Sequence, residues 1–260
     1  LEHWWAGLHA RNFRRFAGVR WVVENPEEID HGPAVVLARH SSHIDAILPV
    51  LLFGLGKGLE LRYTLKNSLQ WAPAMDIHGN RLTKVYVDRD AGPDSPMVGE
   101  LVGLAAGVDH DSVVVIFPEG TFYTPARLDR IAIRIAETRP ELEQSVRGLR
   151  HLLPPRPTGT EALLRGAPVA DLLIVAHEGM EGFGGGAIVD IARNVPLRHP
   201  VRMRLWRIPR AEVPTDEDTL VAWLSDLWVE IDDWIERGRR ERDDGDGLPA
   251  GLVGLPELTW

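Results

Sequence analysis

Residues 33–38, 112–117 and 171–176 form three short, almost unbroken apolar runs. A strand with one wet face alternates polar and apolar residues, so a run without alternation is buried on both faces. Such strands belong to a largely parallel sheet with helices packed on each side. Residues 60–66 alternate, 84–87 and 201–205 read as further strands, and 19–23 as a short one. Helical spacing covers 46–53, 97–107, 126–137, 141–149, 161–165 and 215–239. Strands therefore alternate with helices, which predicts an α/β fold. A single domain is expected, with a mostly parallel mixed sheet flanked by helices.

The last helix carries Leu220, Trp223, Leu224, Leu227, Trp228, Ile231, Trp234 and Ile235 at helical spacing, which reads as a core stripe. Asp226, Glu230, Asp232 and Asp233 fall on its polar face, and Thr215 with Asp218 forms a capping box. Residues 154–159 read as a rigid Pro-rich loop. Residues 1–17 combine Trp4, Trp5, Leu8, Phe13 and Phe16 with Arg11, Arg14 and Arg15. That pattern suits an amphipathic helix, packed either on the core or on a lipid surface. Residues 191–211 hold Arg193, Arg198, Arg202, Arg204, Arg207 and Arg210 without an acidic residue. They read either as a solvated strand face or as a contact for lipid headgroups or coenzyme A phosphates.

Composition removes several function classes. The chain has no Cys, so disulfides, thiolate nucleophiles and Cys metal sites are excluded. A formal net charge of −9 argues against a nucleic-acid partner. No run reaches the roughly 18–20 apolar residues of a spanning helix. The fragment, which begins at Leu1, reads as soluble or membrane-peripheral, with an upstream anchor left open.

Three stretches at strand ends carry candidate chemistry. Arg39-His40-Ser41-Ser42-His43-Ile44-Asp45 joins a buried strand to a helix. Ser42 and Asp45 are themselves a capping box, so Asp45 has a purely structural reading. The same placement lets a carboxylate fix the tautomer of His40 and leave its other nitrogen free to take a proton. His40, His43 and Asp45 also permit a metal site, though in an order unusual for one. Arg89 ends the Val85-Tyr86-Val87-Asp88-Arg89 stretch, as a surface residue, an ion-pair partner or a phosphate ligand. Phe117-Pro118-Glu119-Gly120-Thr121 closes a central strand with a carboxylate, a glycine and a hydroxyl. Ligands of open α/β sheets bind beyond the carboxyl ends of the strands, so all three stretches can converge on one pocket.

Together these blocks resemble the glycerolipid acyltransferases, which include 1-acylglycerol-3-phosphate and other lysophospholipid acyltransferases. The family's H-x-x-x-x-D block is met by His40 and Asp45, and its apolar-aromatic-apolar-Asp-Arg block by residues 85–89. F-P-E-G-T is met without change at residues 117–121. The stretch at 152–159 is similar to one subgroup's L-P-R-x-x-G. The resemblance covers roughly residues 30–180. Arg39 stands where Asn is usual, and Phe122 where an Arg commonly follows F-P-E-G-T, with Arg127 the next candidate.

The resemblance implies transfer of a fatty acyl group from a coenzyme A or carrier-protein thioester to a lysophospholipid hydroxyl. The foremost acceptor is 1-acylglycerol-3-phosphate, in phospholipid biosynthesis. It implies His40 as general base and Asp45 as its orienting partner. Arg89, Glu119, Gly120 and Thr121 would hold the acceptor's phosphate-glycerol end. It implies no metal and no resident cofactor. The partners would be the acceptor, the thioester donor and a membrane surface, at its cytoplasmic face, bound peripherally or through a segment missing from this chain. The acyltransferase domain would span 1–242, with a Gly- and Pro-rich tail at 243–260. The alternatives are a catalytically silent lipid-surface module and a His/Asp metallohydrolase.

Overall fold

A computed structural model describes residues 15, 18, 20–42, 45, 48–66, 83–87, 94–180, 197 and 199–243. The strands are β1 (Trp21–Glu24), β2 (Ala34–Ala38), β3 (Glu60–Lys66), β4 (Thr83–Val87), β5 (Ser112–Ile116), β6 (Asp171–Glu178) and β7 (Val201–Ile208). They form one seven-stranded sheet in the order β1-β7-β6-β2-β5-β3-β4. All neighbours pair in parallel except β6 and β7. The mostly parallel, mixed α/β sheet expected from the apolar runs is therefore present.

The three unbroken runs are the adjacent central strands β6, β2 and β5, and β2 and β5 are buried at every position. Successive residues serve opposite faces. Val36, Val115 and Leu173 pack on one side with Leu52 and Phe53 of a π-helical segment, Val50–Leu55. Val35, Val114 and Ile174 pack on the other. There they meet Leu101 of helix α1 (Pro96–Ala105), Leu163 of α4 (Pro157–Gly166) and Leu224 and Trp228 of α5 (Glu217–Asp243). Each such aliphatic side chain contributes about 1.5–3 kcal/mol by leaving water. Two further helices, α2 (Pro125–Thr138) and α3 (Glu143–Gly148), close a third cluster over Leu153.

Local chemistry sets the element ends. Ser95 and Thr124 cap α1 and α2, accepting from the amides of Met97 and Arg127. The loop expected at 154–159 ends earlier, because Pro157 opens α4: proline has the φ of a first helical turn and loses no bond there. The capping box expected at Thr215 is replaced by Asp216, whose carboxylate accepts from the amide and hydroxyl of Thr219, both at 2.9 Å. The Trp stripe is core: Trp228 and Trp234 are buried, with Arg202 stacked on Trp234.

The basic stretch resolves toward internal pairing for its described members. Arg202 reaches Glu24 at 2.6 Å, and Arg204 reaches Glu24 at 3.5 Å while lying over Trp206. Arg207 pairs with Asp171 at 3.1 Å, and Arg210 donates to the Val213 carbonyl at 3.0 Å. Arg193 and Arg198 lie outside the described residues, as do the N-terminal helix apart from Arg15, His43, Arg89 and the tail from 244.

Candidate active site

Because β6, β2 and β5 are parallel neighbours, their carboxyl ends lie side by side on one edge of the sheet. The chain leaves β2 at Arg39 and His40, leaves β5 at the Phe117 turn, and ends β6 on His177 and Glu178. Arg39 prolongs the β2–β6 ladder by one bond, from its amide to the Val175 carbonyl at 3.0 Å. Its buried guanidinium turns back to the His177 carbonyl and reaches the His151 carbonyl at 3.5 Å. The residue standing in place of the usual Asn is therefore a buried cross-strand tie.

Asp45 is the buried centre of the next turn. One oxygen, Oδ2, accepts from the amides of Ser41 and, at 2.6 Å, Ser42. The other, Oδ1, accepts from Ser42 Oγ at 2.6 Å. The capping reading of Asp45 is thus correct, and it coexists with a second placement. His40 Nδ1 lies 3.8 Å from Oδ2, and His177 Nε2 lies 3.4 Å from Oδ1. Burial alone would raise the Asp45 carboxyl. The pull of the neighbouring His177 and His40 imidazoles and the hydrogen bond from Ser42 outweigh it and hold the group well below the usual carboxylate range. A permanent carboxylate is what a histidine base needs behind it.

The His40 side chain is 17% exposed whereas Asp45 is fully covered, so the ring alone is open to a substrate. It sits between the rings of Phe117 and Phe122, at centroid distances of 4.7 and 4.4 Å. Phe122, at the position where the family commonly has Arg, is thus one wall of the histidine slot. Arg127 reaches the Phe122 carbonyl at 2.9 Å and so fastens that wall. The Nδ1-to-Asp45 spacing is longer than a hydrogen bond.

Glu119 occupies the space between the two motif loops. Oε1 accepts from the His40 amide at 3.0 Å and Oε2 from the Leu153 amide at 3.0 Å. Both oxygens are engaged by backbone and the residue is buried, so its observed work is to tie three loops together. Burial pushes its carboxyl up to about 7, against the pull of the Leu153 and His40 amides and of Arg39. Gly120 has a φ of 68°, the left-handed region that a glycine adopts without strain, and it turns the chain toward Thr121. Thr121 is partly exposed beside it. Arg89 belongs to the undescribed stretch that follows β4.

The loop that meets Glu119 is anchored from behind by a residue the sequence placed on a polar face. Asp232 of α5 is buried and accepts from the amides of Arg150 at 3.0 Å, His151 at 2.7 Å and Leu152 at 3.1 Å. At the loop's far end, α4 approaches β5 so closely that a Cβ on Gly159 would lie 2.6 Å from Ile116 Cδ1. The L-P-R-x-x-G-like stretch is thus part of the wall of the site.

A family model described as acyltransferase matches residues 20–150, half of the chain, and spans both the His40 and Glu119 loops. This chain belongs to the acyltransferase family.

Among relatives of this acyltransferase is a mouse protein named 1-acyl-sn-glycerol-3-phosphate acyltransferase epsilon. It is 24% identical over 260 residues, covering 92% of this chain and 69% of the relative. Another is lysophosphatidylinositol acyltransferase 10 of Caenorhabditis elegans, 24% identical over 222 residues. That match covers 82% of this chain and only 54% of the relative. The crystal structure of the 1-acyl-sn-glycerophosphate (LPA) acyltransferase PlsC from Thermotoga maritima has the same fold. The TM-score is 0.55 at 17% identity, over 94% of this chain and 79% of that one.

Among the described residues, no group of three or more His, Asp or Glu is placed to hold a metal ion. No helix among them is long and apolar enough to cross a membrane. His177 is the residue that sequence reasoning missed. Its only signal is its place, one step beyond the apolar run that marks β6.

Proposed function

We propose that this acyltransferase moves a fatty acyl group from an acyl thioester to a free hydroxyl of a lysophospholipid, with 1-acylglycerol-3-phosphate as the preferred acceptor. The observation that carries this reading is the His40–Asp45 pair, a partly exposed imidazole backed by a buried carboxylate at the carboxyl ends of three strands. His40 takes the proton of the acceptor hydroxyl as its oxygen bonds to the thioester carbonyl carbon. The carbon–sulfur bond then breaks, and the departing thiolate receives that proton from His40. The thioester is already activated, so positioning and a base suffice, with no resident cofactor or metal.

In this reading Glu119 fixes the base through its backbone rather than touching the substrate. The Gly120-Thr121 turn and Arg89 receive the phosphate-glycerol end of the acceptor. Both named curated relatives act on lysophospholipids, but with different headgroups, which supports the class and leaves the headgroup to experiment. The donor is a coenzyme A or acyl carrier protein thioester. A lipid acceptor supports work at a membrane surface, and the reading places it at the cytoplasmic face.

A panel of lysophosphatidic acid, lysophosphatidylinositol and lysophosphatidylcholine, each with a long-chain acyl-CoA or acyl carrier protein, tests the proposal. Highest kcat/KM with lysophosphatidic acid is expected. Preference for lysophosphatidylinositol would correct the acceptor. Absence of transfer to any of the three from either donor would overturn the reading.

A further inference from the structure

We propose that His177 is a positioning residue for the His40–Asp45 pair: it fixes the Asp45 carboxylate from the side opposite His40. The inference rests on the reading of His40 as the base.

A carboxylate turns easily about its last bond, because that torsion is broad and two-fold. Asp45 presents Oδ2, which also accepts from the Ser41 and Ser42 amides, toward His40, and partners on Oδ1 hold the plane of the carboxylate from its other end. Ser42 Oγ takes one direction of Oδ1, and His177 Nε2 stands at 3.4 Å in another. His177 is 1% exposed and lies on a central strand, paired across the ladder with Met203. Its carbonyl is further held by the Arg39 guanidinium. The histidine is therefore a rigid post, set by the sheet itself.

Its chemistry has one outlet. Neither ring nitrogen makes a hydrogen bond among the described residues; Nε2 comes nearest to one, 3.4 Å from Asp45 Oδ1. A buried imidazole with an unpartnered nitrogen is unfavourable, and an apolar side chain would fill this place at lower cost. Nε2 faces Asp45 at 3.4 Å, so a proton carried there, in the imidazolium or the Nε2–H tautomer, would point at the carboxylate. Neighbouring Glu178 points elsewhere, to Arg242 of α5. The side chain of His177 thus has a use in one direction, toward the carboxylate that orients the base.

The test compares His177→Gln, His177→Asn and His177→Leu in the whole chain. Gln places an amide nitrogen near the position of Nε2; Asn is polar but too short to do so; Leu has no donor. With acyl-CoA and lysophosphatidic acid, Leu and Asn should lower kcat by about 10–100-fold, as loss of an orienting partner does, with little change in KM. Gln should restore most of kcat. In a His40→Ala background the Leu change should add no further loss. Nitrogen-15 ring shifts of His40, identified by their disappearance in His40→Ala, give a readout without substrate. They should report a fixed Nδ1–H tautomer in wild type and Gln, and mixed tautomers in Asn and Leu.

Equal kcat and equal His40 shifts in Gln and Asn would overturn the inference, even should Leu fail to fold. An equal further loss on the His40→Ala background would also overturn it. Full activity of His40→Ala alone would instead overturn the base reading, which separates the two failures.

Discussion

Glu119→Gln separates the stability of this protein from its activity. The wild-type carboxylate gives one oxygen to the His40 amide and one to the Leu153 amide. Gln has a single oxygen, so one buried amide is left facing an NH2 group, a loss of about 1–3 kcal/mol. The opposing effect is electrostatic. The Glu119 carboxyl is raised from 4.5 to about 7, so the folded chain holds this proton more tightly than the unfolded one. A raised carboxyl contributes its full stability at pH values below 4.5 and loses it progressively as pH rises to about 7. Between pH 5 and pH 8 that loss is about 2 kcal/mol in wild type and zero in the variant. Urea unfolding at the two pH values reads the difference. The variant should be less stable than wild type at pH 5 and should close most or all of the gap at pH 8. Acyl transfer at pH 8 should nonetheless be reduced, because the His40 loop has lost one of its two fastenings. An identical stability difference at both pH values would refute the assigned burial of a titrating Glu119. Undiminished transfer would refute its role as the clamp.

Other substitutions probe the remaining parts. Asp45→Asn removes the carboxylate behind His40 and should lower kcat by about 10²–10⁴ in steady-state transfer assays. Asp45 is held well below its ordinary range, so its stabilising effect is present above the usual carboxylate pKa and is lost only as pH falls through its lowered value. The wild-type chain should accordingly lose stability in acid more steeply than the Asn variant. Asp232→Ala leaves the amides of Arg150, His151 and Leu152 without their acceptor. It should cost about 3 kcal/mol in urea unfolding and weaken transfer through the Leu153–Glu119 link. Dialysis against a chelator should leave transfer unchanged, and abolition of activity restored by added metal would favour the metallohydrolase alternative.

The three central strands were legible because burial on both faces leaves a short unbroken apolar run bounded by turn residues. The His40, Asp45 and Glu119 positions were legible as motifs at strand ends. Their partners were not, because side-chain pairing across a sheet joins residues far apart in the chain. Asp232 sits among acids that face water, and only its contact with three amides of a distant loop explains its burial. The arginines of β7 read as a charged face because Glu24 and Asp171, which answer them, come from strands whose order no local pattern encodes. The partners of Glu119 were hidden for the same reason: the two amides it accepts from belong to two separate loops. His177 was hidden by its single step beyond the end of an apolar run, where a histidine is ordinarily just a polar strand end.

The most direct measurement is transfer from acyl-CoA to lysophosphatidic acid by His40→Ala, with thermal unfolding as the control for folding. The ring is partly exposed and its loop is held through the backbone amide, which the substitution leaves in place, so the variant should fold as wild type does. Transfer should fall by about 10²–10⁴ with the acceptor KM little changed. Transfer at the wild-type rate by a folded His40→Ala chain would contradict the account.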